Sequence, residues 1–233
     1  YYCHYKNPYL TLNEYGPNDM IPRDKMLEII ADMQKMGVKA VTFSGGGEPL
    51  IYPFIAETME KVLDAGIDLS IITNGSMLKG RNAELLARAK WVRISIDSID
   101  AVNYAEIRGI GENALPDLLK NIEEFAKIKN KECELGVNFV IGRENYKEIE
   151  QVAVTMKTLG ANHVKFAPLF SNETEEYHKD FKDGVIKKLD DLGSRLNDDI
   201  FKIIDLYTGD FDNYEVFKRT YSRCPIKEFV CII

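Results

Sequence analysis

No apolar run in this sequence approaches the roughly 18 to 20 residues needed to cross a bilayer. Its start lacks the basic, apolar, small-residue pattern of a secretory leader. No membrane association and a cytoplasmic location are therefore expected. Basic residues are in deficit: 30 Lys and Arg stand against 37 Asp and Glu, for a net charge of −7. That balance gives no general attraction to nucleic acid or to anionic lipid. Cysteine is scarce as well, with four in 233 residues. Cys3, Cys133, Cys224 and Cys231 are too few and too far apart for a disulfide framework, and such spacing more often marks metal ligands or catalytic thiols. Cys133 precedes the apolar run from Leu135 to Ile141 and reads as a small packed hydrophobe. Internal repeats and low-complexity linkers are missing too. With 45% hydrophobic and 29% charged residues, the chain fits one α/β domain with a full core.

What is present centres on Thr42-Phe43-Ser44-Gly45-Gly46-Gly47-Glu48-Pro49. A β-branched and aromatic run ends there in three glycines, which let a backbone pass close to a ligand. Around it, strand and helix patterns alternate. Pro22 opens a helical pattern stopped by Gly37, and Val38 to Phe43 reads as a buried strand. Pro53 to Ala65 is an amphipathic helix, and strands follow at Asp68 to Thr73 and Trp91 to Ile96, with a short helix near Ala83 to Arg88 between them. Helix is expected over Leu115 to Lys129 and Tyr146 to Leu159, strand over Glu134 to Ile141 and His163 to Leu169, and a long charged helix within Thr174 to Leu196.

Five strand-helix units of this kind predict a parallel sheet with right-handed crossovers. The polar residues at the strand ends are Ser44 with its glycines, Thr73-Asn74-Gly75, Ser95-Ile96-Asp97, Gly142-Arg143-Glu144 and Pro168. All project from the carboxyl edge, where sites collect in barrels and open sheets alike. Convergence of so many strand ends on one ligand favours a barrel-like curve over a flat, doubly wound sheet.

Taken singly, each motif has a plain structural reading. Asn74-Gly75 is a turn signal, Ser95 and Asp97 could cap the next helix, and Arg143 could be a solvated surface charge. In order, they resemble the radical S-adenosylmethionine (radical SAM) enzymes. Tyr1-Tyr2-Cys3-His4-Tyr5 resembles the end of that family's CxxxCxxC motif, with Tyr2 in the aromatic slot and Cys3 as third ligand of a [4Fe-4S] cluster. The resemblance places the other two cysteines, and a first strand, upstream of Tyr1. Gly45-Gly46-Gly47-Glu48-Pro49 resembles the glycine-rich motif whose carbonyls receive the methionine ammonium, which makes Glu48 a neighbour of that amine. Asn74 falls in the TNG turn, Ser95 and Asp97 in the motif that contacts the cofactor's ribose or carboxylate, and Arg143 is the candidate partner of the methionine carboxylate. The family fold implied is a partial (β/α)6 TIM-like barrel over residues 1–200. The implied chemistry is reductive cleavage of S-adenosylmethionine to a 5′-deoxyadenosyl radical, which abstracts hydrogen from a peptide or small-molecule substrate. It also implies an electron donor such as flavodoxin or ferredoxin.

Residues 201–233 read as a linker followed by the start of a cysteine-rich extension. Cys224 and Cys231, in a CxxxxxxC spacing, resemble the beginning of a SPASM or Twitch extension, which would hold auxiliary [4Fe-4S] clusters. Two other function classes remain open from the residues alone. One is an ordinary (β/α)-barrel hydrolase or lyase with an anion-binding glycine turn, for which Glu48 and Asp97 are the obvious carboxylates. The other is a non-catalytic domain of the same fold.

Overall fold

The computed structural model describes residues 20–45, 47–170 and 174–209. Helix α1 (Arg23–Lys35) leads into β1 (Ala40–Phe43). Then come α2 (Ile55–Asp64), β2 (Asp68–Thr73), α3 (Gly80–Leu86) and β3 (Trp91–Ile96). Two helices, α4 (Ala101–Arg108) and α5 (Ala114–Ile128), precede β4 (Glu134–Ile141). The chain continues through α6 (Ile149–Thr158), β5 (His163–Pro168), α7 (Thr174–His178), α8 (Lys182–Leu196) and β6 (Lys202–Asp205).

All six strands are parallel, and they lie in the order β1-β2-β3-β4-β5-β6. This order decides between the two expected architectures. A doubly wound sheet reverses its strand order to put helices on both faces. A monotone order with right-handed crossovers sends every helix to the same face. Burial along the strands agrees with that. Val92, Ile94 and Ile96 of β3, the four alternate residues Leu135 to Ile141 of β4, and Val164 and Phe166 of β5 are wholly inaccessible. The intervening residues Trp91, Arg93 and Ser95 stay partly exposed. Among the described residues, one face is thus dry beneath the helices and the other is partly exposed and of mixed polarity, as in a partial TIM-like barrel.

Two elements depart from the sequence expectation. The sheet has a sixth strand, β6, whose four residues Lys-Ile-Ile-Asp are too short to show a period. Register with β5 and the burial of neighbouring Phe201 and Tyr207 define it. The helix α4 was not foreseen either. It is capped by Asp100, whose side chain accepts from the Asn103 N–H, and it ends on Gly109 at φ 67°. The expected long charged helix is α8, and the buried Phe181 separates it from the short α7. Glu150 of α6 then binds both Lys188 and Arg195 of α8, which hold its carboxyl down to about 2.

Cys133 is buried, and burial pushes its thiol up to about 11, which is the inert packed role expected of it. Among the described residues no helix is long and apolar enough to cross a membrane.

Candidate active site

The carboxyl ends of β1 to β3 form one continuous polar rim. Past β1 the chain reaches Gly45 at φ 110°, a conformation that other residues rarely adopt. The Gly47 N–H donates to the Gly45 carbonyl at 2.6 Å, which closes a tight turn. A Cβ placed at either glycine would meet no atom of the described residues within 4 Å. Glu48 then caps the short 3-10 turn Pro49–Ile51 by accepting from the Leu50 N–H. Its carboxylate also crosses to β2, accepting the Thr73 hydroxyl at 2.5 Å and the Asn74 N–H at 2.6 Å. Both oxygens of Glu48 are therefore committed to the scaffold.

At the end of β2, the Asn74 side chain accepts from the Ser76 N–H. Gly75 follows at φ 76°, packed so closely that a Cβ would lie 2.4 Å from the Leu118 methyl group of α5. Asn121 of α5 donates to the carbonyls of Gly75 and Ser76. Asn74-Gly75 is thus a demanding structural turn, and it also brings Asn74 beside Glu48.

At β3, Asp97 is not a helix cap. Arg108 of α4 donates from Nε to the Asp97 carboxylate at 2.6 Å and from a terminal nitrogen to the Ser95 carbonyl at 2.8 Å. The Asp97 and Arg108 side chains are only 14% and 19% exposed, and the guanidinium lies over the Tyr104 ring. The Asp97 carbonyl in turn accepts from Asn145, a fully buried side chain that also binds the Val140 carbonyl and the Gly142 N–H at the end of β4. Glu148 secures the loop after β3 by accepting from the Ser98 hydroxyl, the Ile99 N–H and the Asn103 amide.

Arg143 lies after β4, as expected, but its guanidinium is engaged with Asp180 at 2.9 Å and the Tyr177 carbonyl at 2.7 Å. It is also stacked over the Tyr177 and Phe181 rings. Glu48, Asn74, Ser95 and Asp97 therefore share a rim, while Arg143 is drawn toward α7. Tyr2, Cys3, Gly46, Cys224 and Cys231 lie outside the described residues. Among the described residues, no group of three or more His, Cys, Asp or Glu side chains could hold a metal ion.

The profile of the Radical SAM superfamily matches residues 1–156. The chain belongs to that superfamily. Its similarity to the S-adenosylmethionine-dependent nucleotide dehydratase of Lacinutrix mariniflava is 32% identity over 143 residues, which is 58% of this chain and 29% of that protein. A probable GTP 3′,8-cyclase of Methanococcus maripaludis is 27% identical over 207 residues, 84% of this chain and 64% of that one. Among solved structures, Streptococcus suis SuiB bound to its precursor peptide SuiA superposes with a TM-score of 0.64. That match covers 90% of this chain and 48% of SuiB at 18% identity, and it shows a shared fold. This radical SAM core thus spans less than two thirds of each of these relatives. In the radical SAM core, Arg108, Asn145 and Glu148 support the rim, and all three escaped the sequence reading.

Proposed function

We propose that this chain is the catalytic core of a radical SAM enzyme that takes a hydrogen atom from a peptide or small-molecule substrate. The observation that carries the reading is the rim itself. The Gly45–Gly47 turn, the Glu48–Thr73–Asn74 knot and the Asp97–Arg108 pair lie at the ends of three adjacent strands. When bound, a [4Fe-4S] cluster held by thiolates including Cys3, together with S-adenosylmethionine, supplies the electron, the carbon-sulfur cleavage and the 5′-deoxyadenosyl radical.

The chain's own residues bind and orient. The carbonyls of a glycine run suit an ammonium group, and no described atom crowds the Cβ positions of Gly45 and Gly47. Glu48 keeps that turn against Asn74 and adds negative charge near the amine. Ser95 and Asp97 meet the ribose or carboxylate end, with Asp97 held in place by Arg108. Arg143 reaches a carboxylate only by exchanging Asp180 for it. The commitments of Glu48 and Asp97 leave neither as a free general base, which counts against the hydrolase or lyase reading. Cys224 and Cys231 are assigned to an auxiliary cluster, flavodoxin or ferredoxin to electron supply, and the cytoplasm to the location. Relatives named for nucleotide and peptide substrates support both substrate classes.

Anaerobic reconstitution of the full-length protein tests the reading. It should bind iron and form 5′-deoxyadenosine only when reductant is added, and C3A should abolish this. The double variant C224A/C231A should lower the iron content without removing the nucleoside-forming cluster. A protein that binds no iron and forms no nucleoside overturns the assignment.

A further inference from the structure

One row of the open face lies apart from the rim. Across β2 to β6 the register aligns Ile72, Arg93, Gly136, His163 and Lys202. Gly136 leaves a gap in that row, and the His163 ring fills it. A Cβ at Gly136 would stand 2.2 Å from the His163 Nε2. The imidazole therefore leans over β4 toward the strand that carries Arg93.

Among the described residues, no carboxylate pairs with Arg93. Its guanidinium lies over the Trp91 ring at 5.7 Å, and its Nε is fully buried with no hydrogen-bond partner among the described residues. Burial alone acts on its pKa, lowering it, with no carboxylate raising it. Glu134, one rung lower, acts on His163 instead, while Arg93 and Lys165 both act on that ring as like charges. Burial holds His163 below its ordinary value, so the ring is uncharged at neutral pH and does not add to the charge around Arg93. A guanidinium does not shed its proton in proteins, and an unpaired buried charge is costly. Its partly exposed remainder faces the open side of the sheet, one rung below Ser95.

We propose that Arg93 anchors an oxyanion group of the substrate, a carboxylate or a phosphate, on the floor of the open face. The guanidinium fork fits either group. This rests on reading the open face as the substrate chamber, and it narrows the substrate class to molecules that carry such a group.

Trp91 is the only tryptophan among the 233 residues, so the site carries its own reporter. The full-length protein, without reductant, is titrated with inorganic phosphate in one arm and succinate in the other, with chloride balancing ionic strength. Emission that W91F lacks is assigned to Trp91. At least one arm should give a saturable change, lost in R93Q and weakened roughly ten-fold in R93K, which keeps the charge but not the fork. The arm that saturates identifies the group. No saturable change in either arm, or an unaltered midpoint in R93Q, overturns the proposal. R93M supplies a second measure. Without anion it should melt at or above the wild-type temperature, and a clear drop would make Arg93 a structural residue and sink the idea. Neither readout needs a reduced cluster, so their failure is separable from failure to form 5′-deoxyadenosine.

Discussion

The Glu48 carboxylate and the Thr73 hydroxyl meet at 2.5 Å, and through them the end of β1 is fastened to the end of β2. Because Thr73 is buried and the Asn74 N–H shares the same carboxylate, the contact sets the mouth of the glycine turn. Glu48 acts here through the backbone it holds.

The E48A variant should leave the Thr73 hydroxyl and the Asn74 N–H without acceptors. An expected loss of about 1–3 kcal/mol follows from the cost of unsatisfied buried donors. Urea unfolding of E48A and E48Q measures it, with E48Q less affected because it keeps one acceptor oxygen. Wild-type stability in E48A would mean that the rim does not depend on this contact.

Asp97 and Arg108 should prove energetically coupled. The pair is largely withdrawn from solvent, so breaking one side strands the other charge. A double-mutant cycle with D97N and R108M should give a coupling energy of about 1–3 kcal/mol. Additivity within about 0.3 kcal/mol would show that each residue contributes independently.

G136A should be destabilised by overpacking, by about 1–3 kcal/mol, since its Cβ collides with the His163 ring. Removing the ring should restore the space, so G136A/H163A should be more stable than G136A alone. Equal stabilities for the single and double variants would place the strain elsewhere.

Stability should fall on acidification in a window set by His178. This buried ring donates from Nε2 to the Leu169 carbonyl, so its Nδ1 accepts from the Tyr207 hydroxyl, a neutral tautomer. Burial first, then the Arg143 and Lys182 charges, lower its pKa from the ordinary 6.5. The unfolded chain therefore takes up the proton first. Stability from this group is complete above the ordinary value and is lost as pH drops through the depressed one, by up to about 1.4 kcal/mol per pH unit. Unfolding free energies between pH 7.5 and 5 should show a shallower slope for H178Q, with His163 supplying part of the remainder. An identical slope in H178Q would rule out His178 as a source.

The strands β1 to β5 were legible because apolar, β-branched runs stop at glycine or polar turns, as Val38 to Phe43 does before Ser44. Strand β6 was not, since a four-residue segment with charged ends acquires its identity only from β5. Glu48, Asn74, Ser95 and Asp97 announced themselves by standing where strands end. Their supports gave no such signal. Arg108 lies 11 positions from Asp97, and Asn145 lies 48 from it. Asn121 lies 46 from Gly75. Only the folded chain brings such residues together, and no local pattern encodes their pairing.

The two faces of the sheet carry different obligations. Residues such as Val92, Val137 and Phe166 are locked into a dry interior, where a single methylene matters. Those on the open face bear little of that packing, apart from the Gly136–His163 fit. Their side chains can be exchanged one at a time while the helical crust keeps the strands in register. A lineage built on this frame could therefore redraw the side chains of the open face while leaving the hydrogen-bonded rim at the strand ends intact.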